Sequence, residues 1–520
     1  MQTSANERKP LLRISNQKQY FPLKKKGLYV KANDGVTLDI YEGETLGLDG
    51  ESGCGKSTLG RTLLQLYRQT DGRTMYYGRT LDDMAPKYMG ETIRTLGKRR
   101  EKLKQLEARR EALEKEYDAM PDGKAKYAKF NEVEHARKEA NDAFLDMANL
   151  VGGFMMVDNL APVTEIFTKL YNLSRRRVAA EEREADKKLN LEDARFALEK
   201  ARKAGENTAA HEKQAAHCQA EDEKVKAEIA AIVKEIKLVE AQIDDMRKPY
   251  ADNAEFQRLE AYRDDGIDLA RLEYNEIRHL RSDLQMIFQD PYSSLNPRMT
   301  VGQIISEGML AHKQFKKSDD RLQEAVLKVM DDAGLAAYFV HRYPHQFSGG
   351  QRQRIGIARS LAVKPKFVVC DEAVSALDVS IQSQIINLLK DLKDQQNLTY
   401  LFITHDLSVV KYISDRIGVM YLGNIVELAD AQELFDHPSH PYTEALMNAI
   451  PTTDVDSGRE IQILEGDIPS PVNPPAGCKF HTRCKYCTEI CKHQIPQWRE
   501  ISPNHFVACH HILGGEEETK

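Results

Sequence analysis

The densest chemistry in the chain lies in eight consecutive residues, Gly50-Glu51-Ser52-Gly53-Cys54-Gly55-Lys56-Ser57. They fit the pattern G-x-x-x-x-G-K-[ST], with a strand-like TLGLD before them and a helix-like TLGRTLLQLY, opening at Thr58, after them. Glycines at those places let backbone N–H groups wrap phosphate oxygens, Lys56 supplies the counter-charge, and Ser57 can ligate Mg²⁺. Much later, Phe367-Val368-Val369-Cys370 reads as an apolar strand that ends in Asp371-Glu372. One carboxylate there suits the Mg²⁺ shell and the other suits an attacking water, so the two segments describe halves of one phosphoryl-transfer site.

The elements that must position these groups can be read from composition and pattern. A chain of 520 residues, 41% of them apolar or aromatic, is long enough for about three domain-sized pieces and is not a disordered polymer. A net charge of −6 offers no field to draw in nucleic acid. No apolar run approaches about 18 residues and the N-terminus lacks an apolar signal core, so the chain is expected neither to span a membrane nor to be secreted. Residues 28–49 alternate strand-like runs with turn signals, and mixed α/β character resumes at Leu284. The fold class expected is α/β.

Between them, residues 91–263 are rich in Glu, Lys, Ala and Arg, and the charge excess is concentrated there. Val225, Ile229, Ile232, Ile236, Val239, Ile243 and Met246 alternate spacings of 4 and 3, the seam of a coiled coil. Residues 178–204 lack such a seam and read equally well as a solvated helix face. Breakers at Pro121–Gly123 and Gly205–Asn207 predict helical hairpins that project from the surrounding domain. After Asp454 a proline-rich linker leads to a cluster of cysteines, which reads as a small metal-stapled appendage.

The full set of motifs resembles the ABC-type ATPases. Phe347-Ser348-Gly349-Gly350-Gln351 is similar to the family signature, with Phe in place of the commoner Leu, and Gln289 in MIFQD to its Q-loop glutamine. Ser375-Ala376-Leu377-Asp378 resembles the D-loop and His405 in ITHD the switch histidine. Phe21, with Tyr20 as the alternative, resembles the aromatic residue that stacks on adenine. The resemblance implies ATP as substrate, held at Gly50, Ser52, Gly53, Cys54, Gly55, Lys56, Ser57 and Thr58; Mg²⁺ at Ser57, Gln289 and Asp371; and Glu372, His405 and Gln289 as the catalytic groups. It also implies that Ser348, Gly349, Gly350, Gln351 and Asp378 complete the site of an opposite protomer. Ala373 departs from the proline that many of these enzymes carry there.

Longer matches at 287–305, 348–389 and 437–451 resemble the oligopeptide/dipeptide importer ATPases, and their wording is closer to the F-type subunit of the unlike pair. This implies a peripheral protein on the cytoplasmic face of the membrane. Its implied partners are a second ATPase subunit, two permease subunits and, indirectly, an extracytoplasmic solute-binding protein. Cys478, Cys484, Cys491 and Cys509, spaced C-x5-C-x6-C-x17-C, resemble that group's [4Fe–4S] ligands, although four thiolates also suit Zn²⁺. The expected division is 1–90 and 272–453 for the ATPase domain, 91–271 for a helical insertion and 454–520 for the cysteine-bearing tail. A soluble DNA-repair or chromosome-structuring ATPase is the rival reading, but its coil would separate Gln289 from Ser348, whereas here the coil precedes Gln289.

Overall fold

The computed structural model describes residues 8–449, 464 and 466–514, apart from 122, 318 and 319. Residues 454–463 of the expected linker and Asp122 of the first expected turn lie outside the described residues. The chain opens with β1 (Pro10–Pro22), β2 (Tyr29–Tyr41) and β3 (Thr45–Asp49), then α1 (Lys56–Leu63) and β4 (Asp71–Tyr76). The short helices α2 (Leu81–Met84) and α3 (Lys87–Arg94) lead into α4 (Leu96–Ala119), α5 (Lys124–Val151), α6 (Ala161–Ala204), α7 (Ala209–Arg247) and α8 (Ala254–Glu260). The chain returns through β5 (Ile267–Asp268), α9 (Tyr274–Leu280) and β6 (Leu284–Ile287). A helical lobe of α10 (Val301–Ala311), α11 (Asp320–Asp332) and α12 (Gly349–Leu361) follows. Next come β7 (Phe367–Asp371), α13 (Val379–Gln396), β8 (Thr399–Ile403), α14 (Leu407–Ile413), β9 (Arg416–Tyr421) and β10 (Asn424–Asp430). The described tail contains α15 (Ala431–Asp436), α16 (Pro441–Asn448), α17 (Glu489–His493), β11 (Arg499–Ser502) and β12 (His505–Val507).

The strands form two sheets, ordered β2-β1-β4-β5 and β11-β12-β10-β9-β3-β8-β7-β6. In the larger one β3 pairs in parallel with β8 and β9, and β7 with β6 and β8. Every residue of β3, β7 and β8 is buried, as expected of parallel strands covered on both faces. In the smaller, antiparallel sheet β5 pairs with β4 through Ile267↔Tyr76 and Asp268↔Met75. The chain therefore leaves after β4 and comes back beside it, which lets a long insertion sit there without moving either neighbour. This return falls before the boundary expected at 272, because a two-residue strand carries no periodicity to announce it.

The insertion holds two antiparallel hairpins. In the first, α4 and α5 are bridged by Arg109–Glu139 at 3.0 Å and Arg137–Glu114 at 2.6 Å. In the second, α7 buries Val225, Ile232, Ile236, Val239 and Ile243. The facing stretch of α6 buries Ala180, Leu191, Ala194 and Ala201, so the segment without a clear seam is packed through small residues. Arg183–Glu228 and Lys187–Glu221, at 2.8 and 2.7 Å, fix the register. Such exposed pairs are worth about 0.2–1 kcal/mol each, so the apolar seam holds the hairpin.

Both hairpins make ion pairs with the rest of the chain. Lys138 of α5 pairs with Asp71 of β4. Asp186 and Asp193 of α6 receive Lys313 at 3.0 Å and Lys316 at 2.7 Å, and Arg321 spans Glu192 and Asp193 at 3.0 and 2.6 Å. These long-range charge pairs have no local pattern in sequence. The tail is joined to the larger sheet and its core. β12 pairs with β10 through Glu427↔Val507, and Phe480 joins a core containing Tyr421 and Tyr442. Two strands this short cannot bury enough to stand alone and instead take the free edge of β10.

Ile232 is 1% exposed in the α6–α7 seam. Ile232→Ala is expected to cost about 2–5 kcal/mol of local stability. Hydrogen exchange across 225–246 should show it, whereas Arg183→Ala should change that protection by less than about 1 kcal/mol.

Candidate functional site

The phosphate loop runs from the end of β3 into α1, whose N-cap is Gly55 and whose first turn holds no acidic residue. The free N–H groups and the positive end of the helix dipole are therefore offered to an anion. Two glycines are required by geometry. Gly55 has φ +108° and a Cβ there would lie 2.1 Å from the Ala32 carbonyl oxygen. Gly50 has φ +144° and a Cβ there would lie 2.1 Å from the Met420 carbonyl oxygen. Lys56, 5% exposed, donates to the carbonyls of Gly50 and Glu51, the latter at 3.3 Å. Ser52 and Gly53 are exposed at the crest of the loop, Ser57 and Thr58 half-buried at the start of α1.

The strands beside β3 bring the carboxylates to this loop. Asp371, fully buried at the end of β7, accepts from Ser57 Oγ at 2.5 Å. Its second oxygen accepts from Arg61 at 3.2 Å. Sequence reasoning missed Arg61; its position four residues after Ser57 puts both on one face of α1 and could have pointed to it. Glu372 has φ +47°, in the left-handed region, and its N–H donates to the Ile403 carbonyl at 2.9 Å. Strain of this kind costs about 1–3 kcal/mol and persists where the surroundings dictate it. The Glu372 carboxylate accepts from Gln289 Nε2 at 2.7 Å and lies 3.7 Å from His405 Nδ1. A hydroxyl and a carboxylate held together suit a hard cation such as Mg²⁺.

Other expected site residues lie elsewhere. Ser348 caps α12 in a reciprocal box, accepting from the Gln351 N–H at 3.4 Å while its own N–H donates to Gln351 Oε1 at 3.1 Å. Gly349 is exposed, and Gly350 is packed so that a Cβ would fall 2.4 Å from the Ile381 side chain. Asp378, exposed, caps α13 through the Ile381 N–H at 3.0 Å. Among the described residues these side chains make no hydrogen bond to the chain's own phosphate loop. Phe21 lies next to the end of β1, half-buried, edge-on to Tyr67 with ring centroids 5.2 Å apart. Tyr20 is instead bound to Asp34 through its hydroxyl.

The four tail cysteines converge. Each of Cys478, Cys484, Cys491 and Cys509 lies within electrostatic reach of the other three. The His511 N–H donates to the Cys509 sulfur at 3.3 Å. Burial pushes Cys478 up to about 12 and Cys509 up to about 11, so both are neutral thiols unless a cation draws off their protons. Among the described residues no group of three or more His, Cys, Asp or Glu side chains is placed to hold a metal ion. The thiols thus converge without closing into a tetrahedral set. Cys487 is partly exposed beside them.

Comparison with known proteins agrees with this geometry. Residues 33–250 and 243–375 match the ABC transporter family, and residues 426–491 match the family described as oligopeptide/dipeptide transporter, C-terminal region. The oligopeptide transport ATP-binding protein AppF of Bacillus subtilis is 52% identical over 250 residues, 47% of this chain and 75% of that protein. The oligopeptide transport ATP-binding protein OppF of Haemophilus influenzae is 49% identical over 250 residues, 48% of this chain and 75% of that protein.

With φ +108° and the Ala32 carbonyl in the way, Gly55→Ala must distort the loop. Denaturant unfolding should show a loss of about 1–3 kcal/mol.

Proposed function

The chain belongs to the ABC transporter family of ATP-binding proteins, and from that premise we propose that it is the ATP-hydrolysing subunit that powers a peptide importer. The observation that carries this reading is the joining, in one chain, of the loop-and-carboxylate site at Gly50–Ser57 and Asp371–Glu372 to a C-terminal region of oligopeptide/dipeptide transporter type. ATP phosphates are held by the loop N–H groups and by Lys56, which exchanges its carbonyl partners for phosphate oxygens. Ser57, Asp371 and Gln289 would hold Mg²⁺, which would supply charge neutralisation at the phosphates. Arg61 fixes the second Asp371 oxygen and so aims the first at Ser57. Glu372 takes the proton of the attacking water, with Gln289 fixing one carboxylate oxygen and His405 beside it. Phe21 supplies a face for adenine.

Among the described residues Ser348, Gln351 and Asp378 bond only within their own helix starts and not to the phosphate loop. Ser348, Gly349, Gly350 and Gln351 stand at an exposed helix N-terminus and Asp378 beside it, a ready anion site for ATP on an opposite subunit. A second ATPase subunit would complete the site, and the resemblance to the F-type member of an unlike pair favours a non-identical one. No helix among the described residues is long and apolar enough to cross a membrane. Two permease subunits would anchor the pair on the cytoplasmic face, with a solute-binding protein on the other side. A DNA-repair type of ATPase is disfavoured by the transport proteins among the relatives and by a net charge of −6.

The ATPase domain is divided between 1–90 and 272–453, and β5, at the end of the insertion, pairs with its β4. Residues 91–271 form a coiled-coil arm for docking or regulation, a role supported by the apolar seam and by ion pairs to residues 313–321. Cys478, Cys484, Cys491 and Cys509 in the tail 454–520 hold a [4Fe–4S] cluster of structural role, with Zn²⁺ as the alternative. The His511 N–H donated to the Cys509 sulfur would favour a thiolate there once a cluster is bound, and a cluster tolerates wider ligand spacing than one ion.

Glu372→Gln is expected to lower Mg²⁺-dependent ATP turnover by roughly 10²–10⁴ while ATP binding persists. Unchanged turnover would remove the assignment. Lys56→Ala should instead weaken nucleotide binding, read by equilibrium titration. Anaerobically purified protein should be brown with about four irons per chain; colourless protein with stoichiometric zinc would move the tail to the alternative.

A further inference from the structure

The segment from Cys478 to Cys484, CKFHTRC, does more than carry two cysteines. Between them three side chains enter the nucleotide-binding body. Lys479 donates to the Leu422 carbonyl at 2.8 Å and pairs with Asp34 at 2.9 Å. Phe480, 2% exposed, packs its ring against Tyr421 and Tyr442 with centroids 5.2 and 5.3 Å away. Arg483 forks onto the Glu51 carboxylate through Nη1 at 2.7 Å and Nη2 at 3.0 Å, with its side chain only 5% exposed.

Glu51 is the second residue of the phosphate loop, and it is held from outside that loop at two places. Its backbone N–H donates to the Tyr442 hydroxyl at 3.0 Å, and its carboxylate is clamped by Arg483. Its carbonyl meanwhile accepts from Lys56. A carboxylate in a loop built for a polyanion opposes binding unless a cation offsets it, and among the described residues Arg483 of the tail supplies that cation in bidentate form.

We propose that Arg483 is a positioning residue for nucleotide binding, which makes the cysteine-bearing tail a working part of the phosphate site. The proposal rests on the ATP-binding reading above. Arg483 offsets the Glu51 charge and fixes the peptide on which Lys56 rests, without touching nucleotide itself. Because Cys478 and Cys484 flank the segment, the order of the thiol site sets how firmly the guanidinium is delivered. Removing one partner of such a pair leaves the other charge uncompensated, whereas removing both leaves two neutral groups that can still hydrogen-bond.

The test compares full-length wild type, Arg483→Lys, Arg483→Gln and the pair Glu51→Gln/Arg483→Gln. Affinity for a non-hydrolysable Mg-ATP analogue is titrated, and metal content and unfolding temperature report whether the tail is intact. Arg483→Gln should weaken binding at least about tenfold with metal content unchanged, Arg483→Lys should lie between it and wild type, and the double variant should recover to within about threefold. In turnover, KM should rise more than kcat falls. Wild-type affinity in Arg483→Gln, or a double variant as weak as the single one, would overturn the proposal while leaving the ATPase reading intact. If Arg483→Gln does not fold, wild-type affinity in Arg483→Lys overturns it and weakened binding with restoration in the double variant supports it. A wild-type chain that binds no analogue removes both.

Discussion

The site depends on one constraint: four parallel strands, β3, β8, β7 and β6, lie side by side and end at the same edge of the sheet. Register makes the ends level, since Leu48 and Asp371 both pair with Ile403, and Cys370 pairs with Ile287. The residues just beyond those ends are the phosphate loop, His405, Glu372 and Gln289. Parallel α/β sheets bind ligands at this edge because every strand delivers its following loop there. Residues hundreds of positions apart thus need only one sheet, with buried apolar strands on both faces, to become neighbours.

That rigidity explains why the insertion is tolerated. It enters after β4 and leaves through β5, adjacent strands of the other sheet, so neither Gly50–Ser57 nor Gln289 has to shift. The hairpins then lean back onto the body, one onto β4 and the other onto the stretch before and into α11. The arm therefore touches the helical lobe that carries Ser348 as well as the smaller sheet, through β4.

Legibility followed how local each signal is. The loop Gly50–Ser57 and the run Phe367–Glu372 are contiguous, so their chemistry was written in adjacent letters. The breakers at Gly123 and Gly205 and the seam of α7 were likewise readable, because turn and helix periodicities are short-ranged. Arg61 was missed because its partner Asp371 lies on another strand. The joining of β12 to β10 and the reach of Arg483 to Glu51 are contacts across much of the chain, and no spacing announces them. The small residues of α6 hid their burial for a different reason: alanine in a charged helix reads as propensity rather than as packing.

On the reading proposed above, this chain hydrolyses ATP at strand ends that an opposing subunit completes. The most direct measurement is the ATP turnover number, per chain and with Mg²⁺, as the chain and its co-purified ATPase subunit are diluted together through the range where they dissociate. Turnover should fall toward zero on dilution and rise to a plateau as the pair forms, because the Ser348 helix end reaches nucleotide only from the opposite subunit. A turnover number that stays constant down to the fully dissociated chains would contradict the account.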